Sequence, residues 1–144
     1  MGEDLTALIR ERFGYREEDA KQYAPLALAF VGDAVYSLMI RTRLLCEKER
    51  TVNHLHKKSA DLVKAQAQKE LMLSMLPKLT EEELTVFKRG RNAKSYSVAK
   101  NASVNDYRIA TGFESLMGYL YLNGQTERIM DLIFAGATEP GEEE

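Results

Sequence analysis

The sequence predicts an all-α fold, and three observations support that prediction. Apolar residues recur at helical spacing along most of the 144 residues, and no convincing period-two alternation marks a strand. Capping and helix-breaking residues separate the apolar segments. A hydrophobic content of 44% with 29% charged residues is typical of a globular domain. We expect one domain over residues 1–135 and a disordered acidic tail over residues 136–144.

Six helices are predicted along the chain. Gly14 ends the first, Pro25 is tolerated in the first turn of the second, and Pro77 ends the third. Asn123 and Gly124 separate the last two. The expected bounds are 5–13, 25–46, 52–76, 81–90, 104–122 and 126–135.

Capping residues support several of these bounds. Thr51 is a reasonable N-cap for the third helix, and Ser103 can cap the fifth. Thr80 with Glu83 forms a capping box at the start of the fourth helix. That helix should fray at Gly90, so residues 88–103 are predicted to form a loop.

The formal net charge of -2 hides a strong asymmetry along the chain. Residues 1–40 carry 4 basic and 7 acidic side chains, residues 41–100 carry 14 and 7, and residues 101–144 carry 2 and 8. A basic middle between acidic ends indicates a surface that binds a polyanion. The single cysteine, Cys46, excludes an internal disulfide and fits a reducing, cytoplasmic compartment. The polar N-terminus is unlike a secretory signal, and no apolar run of about 18 residues predicts a membrane span.

Asp33 is the most unusual residue of the long second helix. It lies in the most apolar stretch of the chain, where we expect it to be buried. A buried carboxylate is costly unless it is paired, hydrogen-bonded or bound to a cation. Gly32 beside it costs about 1 kcal/mol of helix stability relative to alanine, which is plausible where another helix must approach closely. Glu114 repeats the pattern in a later apolar helix, flanked by Gly112 and Gly118.

Two interpretations fit these carboxylates. Asp33 and Glu114, on two buried helices, could together hold a hard cation such as Mg²⁺, which takes oxygen ligands and keeps several waters. Such an ion can activate water and stabilise phosphoryl oxygens during diester hydrolysis. Alternatively, the glycines only permit close helix packing, and each carboxylate is paired locally. The residues alone leave both interpretations open.

The segment 88–103 also has two interpretations. It contains five cations, one aromatic residue and no acid, and its short polar residues suit contacts with nucleic-acid phosphates. The alternative is a solvated turn between helices. The residues that we assign to RNA contact in this segment are Lys88, Arg89, Arg91, Asn92, Lys94 and Lys100.

A second basic group lies in NHLHKK, residues 53–58. His54 and His56 are two residues apart and point to different sides of a helix, so they are not expected to share a metal ion. With Lys57 and Lys58 beside it, His56 is instead expected to contact an RNA backbone.

At LALAFVGDAVY the chain resembles the ribonuclease III catalytic domain, whose signature helix carries a Gly-Asp pair in an apolar context. FESLMGYLYL is similar to that family's second acidic helix. The chain is most similar to the Mini-ribonuclease III branch of that family. The segments NHLHKKSA and FKRGRNAKS fit this branch, as does the absence of an appended double-stranded-RNA-binding domain. The resemblance covers roughly residues 20–135 in consistent order.

The resemblance implies an all-helical homodimer that cleaves double-stranded RNA with Mg²⁺. It places Asp33 and Glu114 at the positions of two catalytic, metal-binding carboxylates. In bacteria the branch matures the ends of large-subunit (23S) ribosomal RNA, so a ribosomal RNA precursor is the implied substrate. A ribosomal protein that presents the RNA is a candidate partner.

The chain also departs from the family pattern. Where larger enzymes carry two further glutamates on the signature helix, this chain has Leu26 and Ala29. Thr111 stands where an aspartate is expected, three residues before Glu114. Fewer carboxylates mean fewer metal ligands than a two-ion site needs. An inactive RNA-binding or assembly module with the same fold is therefore the alternative function.

Overall fold

A computed structural model describes residues 5–16, 18–47, 51–93 and 103–137, and seven α-helices occupy most of them. Two 3₁₀ turns, Ala20–Gln22 and Leu76–Lys78, lie between helices. No strand occurs in these segments, and the predicted all-α class is confirmed. The helices are α1 (Leu5–Phe13), α2 (Pro25–Cys46), α3 (Val52–Leu62), α4 (Ala65–Met75), α5 (Glu81–Asn92), α6 (Val104–Leu122) and α7 (Thr126–Ala137).

Helix α6 is the centre of the fold. It packs against α2, α4, α5 and α7. Every residue from Ile109 to Leu120 is buried except Glu114, which is only partly buried. A helix that is apolar on all sides belongs in a core, because no face of it can be left to water without cost. Glu114 is therefore the point at which this core helix reaches the surface.

Helices α2 and α6 cross with their backbones in contact at two glycines. A Cβ atom on Gly32 would collide with the carbonyl oxygen of Glu114 and lie 2.7 Å from the amide nitrogen of Gly118. A Cβ atom on Gly118 would collide with the carbonyl oxygen of Leu28. These neighbours are backbone atoms, which cannot move aside as a flexible side chain can. The close helix approach expected at Gly32 is confirmed, and it fixes the positions of the residues beside it.

Helix α2 has two apolar faces. Its inner face packs on α6, and its outer face exposes four large apolar side chains. The most apolar 18-residue window of α2 has a mean hydropathy of 1.2, and 28% of that window is buried. By length and composition this helix could cross a membrane, but a core helix with a second, uncovered apolar face has the same composition. The four exposed residues are Leu26, Phe30, Leu38 and Leu45.

The prediction of one helix over residues 52–76 is wrong, because the chain turns between α3 and α4. Lys64 has an extended backbone there, with φ -62° and ψ 154°. The break leaves the carbonyl oxygen of Val63 outside the helical pattern, and Nε2 of Gln68 donates a hydrogen bond to it at 3.1 Å. Thr51 is the N-cap residue of α3 as predicted, although its side chain makes no capping hydrogen bond.

Helix α5 does not fray at Gly90 but continues to Asn92. Gly90 is buried against α6, and a Cβ atom on it would lie 2.7 Å from the Cβ atom of Ser115. This glycine therefore permits close packing instead of ending the helix. Residues 88–92, predicted to begin a loop, form the last turns of α5, and residues 94–102 lie outside the described part of the chain.

The remaining helix ends agree closely with the prediction. Thr80 and Glu83 form the capping box, with 2.9 Å from N of Thr80 to Oε1 of Glu83 and 3.1 Å for the reciprocal bond. The Ser103 hydroxyl accepts a hydrogen bond from the first turn of α6 at 3.0 Å. Helix α7 ends at Ala137 instead of Ala135. The rest of the predicted disordered tail lies outside the described residues.

Candidate active site

The structure brings Asp33 and Glu114 together at the crossing of α2 and α6. Asp33 directly follows Gly32, and the backbone of Glu114 is the surface against which Gly32 packs. The two carboxyl groups lie close enough for the charge of Asp33 to raise the pKa of Glu114. The glycine contact and the carboxyl pair are therefore one arrangement, because the close packing of the two helices brings the carboxyl groups together.

The expectation that both carboxylates are buried is only half right. Glu114 is partly buried, but Asp33 is exposed. Successive residues of a helix are rotated by about 100°, so burying Gly32 and Tyr36 against α6 turns Asp33 outward. This exposure opens the pair to solvent, and a ligand can reach it.

Glu114 holds a proton under conditions where most carboxyls have lost theirs. Burial, together with the nearby charge of Asp33, raises the pKa of Glu114 from 4.5 to about 8. The Gln68 side chain acts in the opposite direction but is a smaller effect. With a pKa of about 8, Glu114 therefore keeps its proton at neutral pH, beside Asp33.

No basic side chain offsets this pair in the part of the chain that the structure describes. The ion pairs found there involve other residues, and none includes Asp33 or Glu114. Local pairing with lysine or arginine, the alternative interpretation of these carboxylates, is therefore not seen in these segments. The proton that Glu114 keeps relieves the repulsion between the two carboxyl groups, and a bound cation would have to replace it.

The oxygen donors of this pair fit a Mg²⁺ ion. This ion is commonly held by one or two protein carboxylates, with waters and substrate oxygens as the remaining ligands. The described segments contain no group of three or more His, Cys, Asp or Glu side chains that could hold a metal. Asp33 and Glu114 would thus be the protein's carboxylate ligands, and Glu114 would have to lose its proton to bind.

The three positions at which the chain departs from the family pattern add no further ligand. The Thr111 hydroxyl donates a hydrogen bond to the carbonyl oxygen of Tyr107 at 2.9 Å, so it is committed to its own helix. Leu26 is exposed and Ala29 is buried, and neither carries a polar group. A small set of protein ligands, as expected from the sequence, is consistent with these environments.

The basic end of α5 adjoins the part of α6 that carries Glu114. Gly90 contacts Ser115, the residue after Glu114, and Arg89 on one side of Gly90 is exposed. On the other side, the Arg91 guanidinium lies 5.6 Å from the centre of the Phe87 ring. Lys88 and Asn92 are also exposed, whereas Lys94 and Lys100 lie outside the described residues.

The second basic group lies at a different place. His56 and Lys57 are exposed on α3 and Lys58 is partly buried. Helix α3 packs against α2, and His56 shares a shallow apolar depression with Leu44. At a rise of 1.5 Å per residue, Leu44 is about 16 Å along α2 from Asp33. A ligand at the acid pair would have to be extended to reach both.

Gln68 was not predicted from the sequence, although its side chain lies beside Glu114 and lowers the pKa of that carboxyl. Gln68 is 1% exposed. The available signal was its position, one helical turn before Met72 on the apolar side of α4. A polar residue on an apolar stripe is the same anomaly that identified Asp33.

Comparisons with known proteins agree with this geometry. The model of the Ribonuclease III domain matches residues 26–125. A Mini-ribonuclease 3 from Clostridium tetani is 50% identical over 120 residues, which cover 83% of this chain and 80% of that protein. A Mini-ribonuclease 3 from Enterococcus faecalis is 54% identical over 117 residues, covering 80% of this chain and 89% of the relative.

A solved structure shares the fold. The crystal structure of a Fusobacterium nucleatum protein superimposes with a TM-score of 0.73 at 31% sequence identity, covering 81% of this chain and 93% of the other. The relatives are named as ribonucleases, which supports the enzyme and not the inactive module. This chain belongs to the ribonuclease III family, within its Mini-ribonuclease III branch, and is an endoribonuclease.

Proposed function

We propose that this endoribonuclease cleaves double-stranded RNA in a Mg²⁺-dependent reaction at Asp33 and Glu114. The observation that carries the proposal is the pair of adjacent carboxyl groups at the α2–α6 crossing, open to solvent and paired with no described cation. A family member with this arrangement has the oxygen ligands that Mg²⁺ prefers.

Each residue of the pair has its own part in the proposed reaction. Asp33, being exposed, faces the RNA, and Glu114 lies deeper and binds only after it gives up its proton. When bound, Mg²⁺ activates the attacking water and stabilises phosphoryl oxygens. The buried helix crossing keeps the two carboxyl groups in a fixed relation, which reduces the cost of organising them for the reaction.

The experiment that tests this function compares RNA substrates and metal conditions. The wild-type chain should cut a long duplex RNA in Mg²⁺, leave a single strand of the same sequence intact, and produce no fragments in EDTA. Gel electrophoresis of end-labelled RNA gives the answer directly. Equal cutting of both substrates, or cutting in EDTA, would contradict the proposal.

We assign the RNA contacts to the two basic groups. The α5 group comprises Lys88, Arg89, Arg91 and Asn92, with Lys94 and Lys100 following in the chain, and the α3 group comprises His56, Lys57 and Lys58. A-form RNA is recognised by its shape through phosphates and 2′-hydroxyls, which can be contacted at separate points along the helix. The distance of about 16 Å along α2 between the acid pair and the α3 group fits an extended ligand of this kind.

Changing Arg89 and Arg91 together to alanine should weaken duplex binding similarly for all sequences. Each phosphate contact releases counterions, so the salt dependence of log Kd should become shallower by about 1 to 2. Binding titrations at several salt concentrations measure this slope. The matched control changes Arg12 and Arg16, exposed arginines at the other end of the chain, and should leave the slope unchanged. If both variants keep the wild-type salt slope, these arginines of α5 do not contact RNA phosphates.

We further propose that the substrate is the large-subunit (23S) ribosomal RNA precursor in the bacterial cytoplasm. The resemblance to the Mini-ribonuclease III branch supports this assignment, together with relatives that carry the same name. One small helical domain offers few contacts with which to select a single RNA. A ribosomal protein that presents the duplex is therefore the partner we propose.

The exposed face of α2 supports a homodimer. Leu26, Phe30, Leu38 and Leu45 lie along this face with exposed fractions of 40%, 81%, 61% and 55%. A row of large exposed apolar side chains marks an interaction surface. Its continuity along a helix that already resembles the family's signature helix supports a second copy of this chain as the occupant, with Asp33 beside the interface.

Changing Phe30 to aspartate should convert the dimer to a monomer, because the charge would have to be buried between two helices. Light scattering of the wild-type chain should give twice the 16.3 kDa chain mass, and of the variant, a single chain mass. Phe13→Asp, at an exposed phenylalanine on α1, is the control and should remain dimeric. A monomeric wild-type protein would contradict the proposed homodimer.

A further inference from the structure

Gln68 is a fully buried polar side chain whose burial is only partly explained by its support of the break between α3 and α4. It is 1% exposed, and its Nε2 donates to the carbonyl oxygen of Val63 at 3.1 Å. Its Oε1 is buried and accepts no hydrogen bond from any residue that the structure describes. Leaving a buried polar atom unpaired costs about 1–3 kcal/mol. The bond to Val63 accounts for the nitrogen of the amide but not for its unpaired oxygen, so a role besides supporting the break between α3 and α4 is indicated.

The same amide reaches the acid pair. Helix α4 packs against α6, and the Gln68 side chain lies beside the Glu114 carboxyl and lowers its pKa. Because the amide is also anchored on Val63, it cannot rotate freely, and the direction of the Glu114 carboxyl is restrained with it.

We propose that Gln68 is a positioning residue for RNA cleavage, which holds the Glu114 carboxylate beside Asp33 in the orientation that binds the cation. This inference rests on the function proposed above. Residues that orient metal-binding side chains commonly contribute about 10–100-fold to metal affinity or activity. The break between α3 and α4 fits this role, because it leaves the Val63 carbonyl oxygen free to accept the hydrogen bond that holds the amide in place.

The test uses Gln68→Met, which keeps the approximate size and removes the amide. We expect cleavage in Mg²⁺ to slow by about 10–100-fold, while duplex binding in EDTA stays at the wild-type value. Binding of Mn²⁺ to the RNA-free protein, measured by electron paramagnetic resonance, should weaken by about 10-fold or more. Gln66→Met is the control, since Gln66 is exposed on the same helix and contacts only Glu70 at 3.5 Å. It should behave as wild type in every assay.

A second variant separates positioning from packing. Gln68→Leu also lacks the amide but has a different shape, so both variants should lose Mn²⁺ affinity equally even if their melting temperatures differ. Losses that follow the melting temperature, or wild-type Mn²⁺ binding by Gln68→Met, would overturn the inference. If the wild-type chain does not cut duplex RNA, the proposed function fails. The Mn²⁺ measurements still decide the role of Gln68 in that case.

Discussion

Replacing Glu114 with glutamine should abolish RNA cleavage and at the same time stabilise the folded protein. The amide imitates the protonated carboxyl in size and can still donate a hydrogen bond to Asp33, but it cannot bind the cation as a carboxylate does. A metal ion contributes several kcal/mol to phosphodiester hydrolysis, so the rate should fall by about 10³-fold or more. Single-turnover cleavage of duplex RNA measures the loss.

The gain in stability follows from the raised pKa of Glu114. The pKa rises from 4.5 to about 8 on folding, so between these values the unfolded chain gives up the proton while the folded protein keeps it. The folded state of the wild-type chain therefore loses stability as the pH rises through this window. Glutamine does not titrate, and at pH 8.5 the variant should be more stable by on the order of 2–3 kcal/mol, allowing for partial exposure.

Denaturant unfolding at several pH values checks this expectation. The difference in free energy of unfolding between Glu114→Gln and wild type should be small near pH 4.5 and grow toward pH 8.5. Adding Mg²⁺ should stabilise only the wild type, because ligand binding to the folded state raises its stability. Glu18→Gln, at an exposed glutamate outside the helices, is the control and should show neither effect. A pH-independent difference would mean that Glu114 is ionised in the folded protein at neutral pH.

Replacing Gly32 with alanine should strongly destabilise the folded protein. Alanine favours a helix over glycine by about 1 kcal/mol, so propensity alone predicts a gain. The added Cβ would collide with the carbonyl oxygen of Glu114 and approach N of Gly118 to 2.7 Å. Forcing extra atoms into a packed core typically costs 1–3 kcal/mol, and here the opposing atoms are backbone, so we expect about 3 kcal/mol or more.

Thermal unfolding of two variants makes this prediction sharp. Gly32→Ala should melt well below wild type and lose cleavage, since separating the helices also separates Asp33 from Glu114. Ala27→Gly, on an exposed face of α2, should cost only about 1 kcal/mol despite its poorer helix propensity. The order of the two variants is thus the reverse of what propensity predicts. A Gly32→Ala protein with wild-type stability would show that the helices do not touch there.

The sequence predicted the residues whose local energetics are unfavourable. Asp33 and Gly32 stand out because charge and flexibility are costly in an apolar helix, and the structure places both at the α2–α6 crossing. The capping box at Thr80 was predictable because its hydrogen bonds join residues that are neighbours in the chain. Interactions of this local kind can be inferred from the sequence with few assumptions.

Other features depend on contacts between distant parts of the chain. No glycine or proline marks the break at Val63, which is stabilised by Gln68 after the helices have packed. Glycine is typical of a helix end, so the sequence predicts that α5 ends at Gly90. Its close contact with Ser115 of α6 instead keeps Gly90 inside the helix. The exposure of Asp33 is set by which face of α2 meets α6. None of these can be inferred without knowing how the helices pack.

The glycine crossing also bears on any attempt to engineer a more heat-resistant variant. Glycines inside helices are customary first choices for replacement by alanine, because the substitution is small and improves helix formation. On α2 and α6 that rule would select Gly32, Gly112 and Gly118 and would harm the protein at all three. Stabilising changes belong instead on exposed helix positions away from the crossing, the acid pair and the outer face of α2. Gln66 and Ser74 on α4 are suitable starting points, because both are polar and their hydrogen bonds stay within one helix.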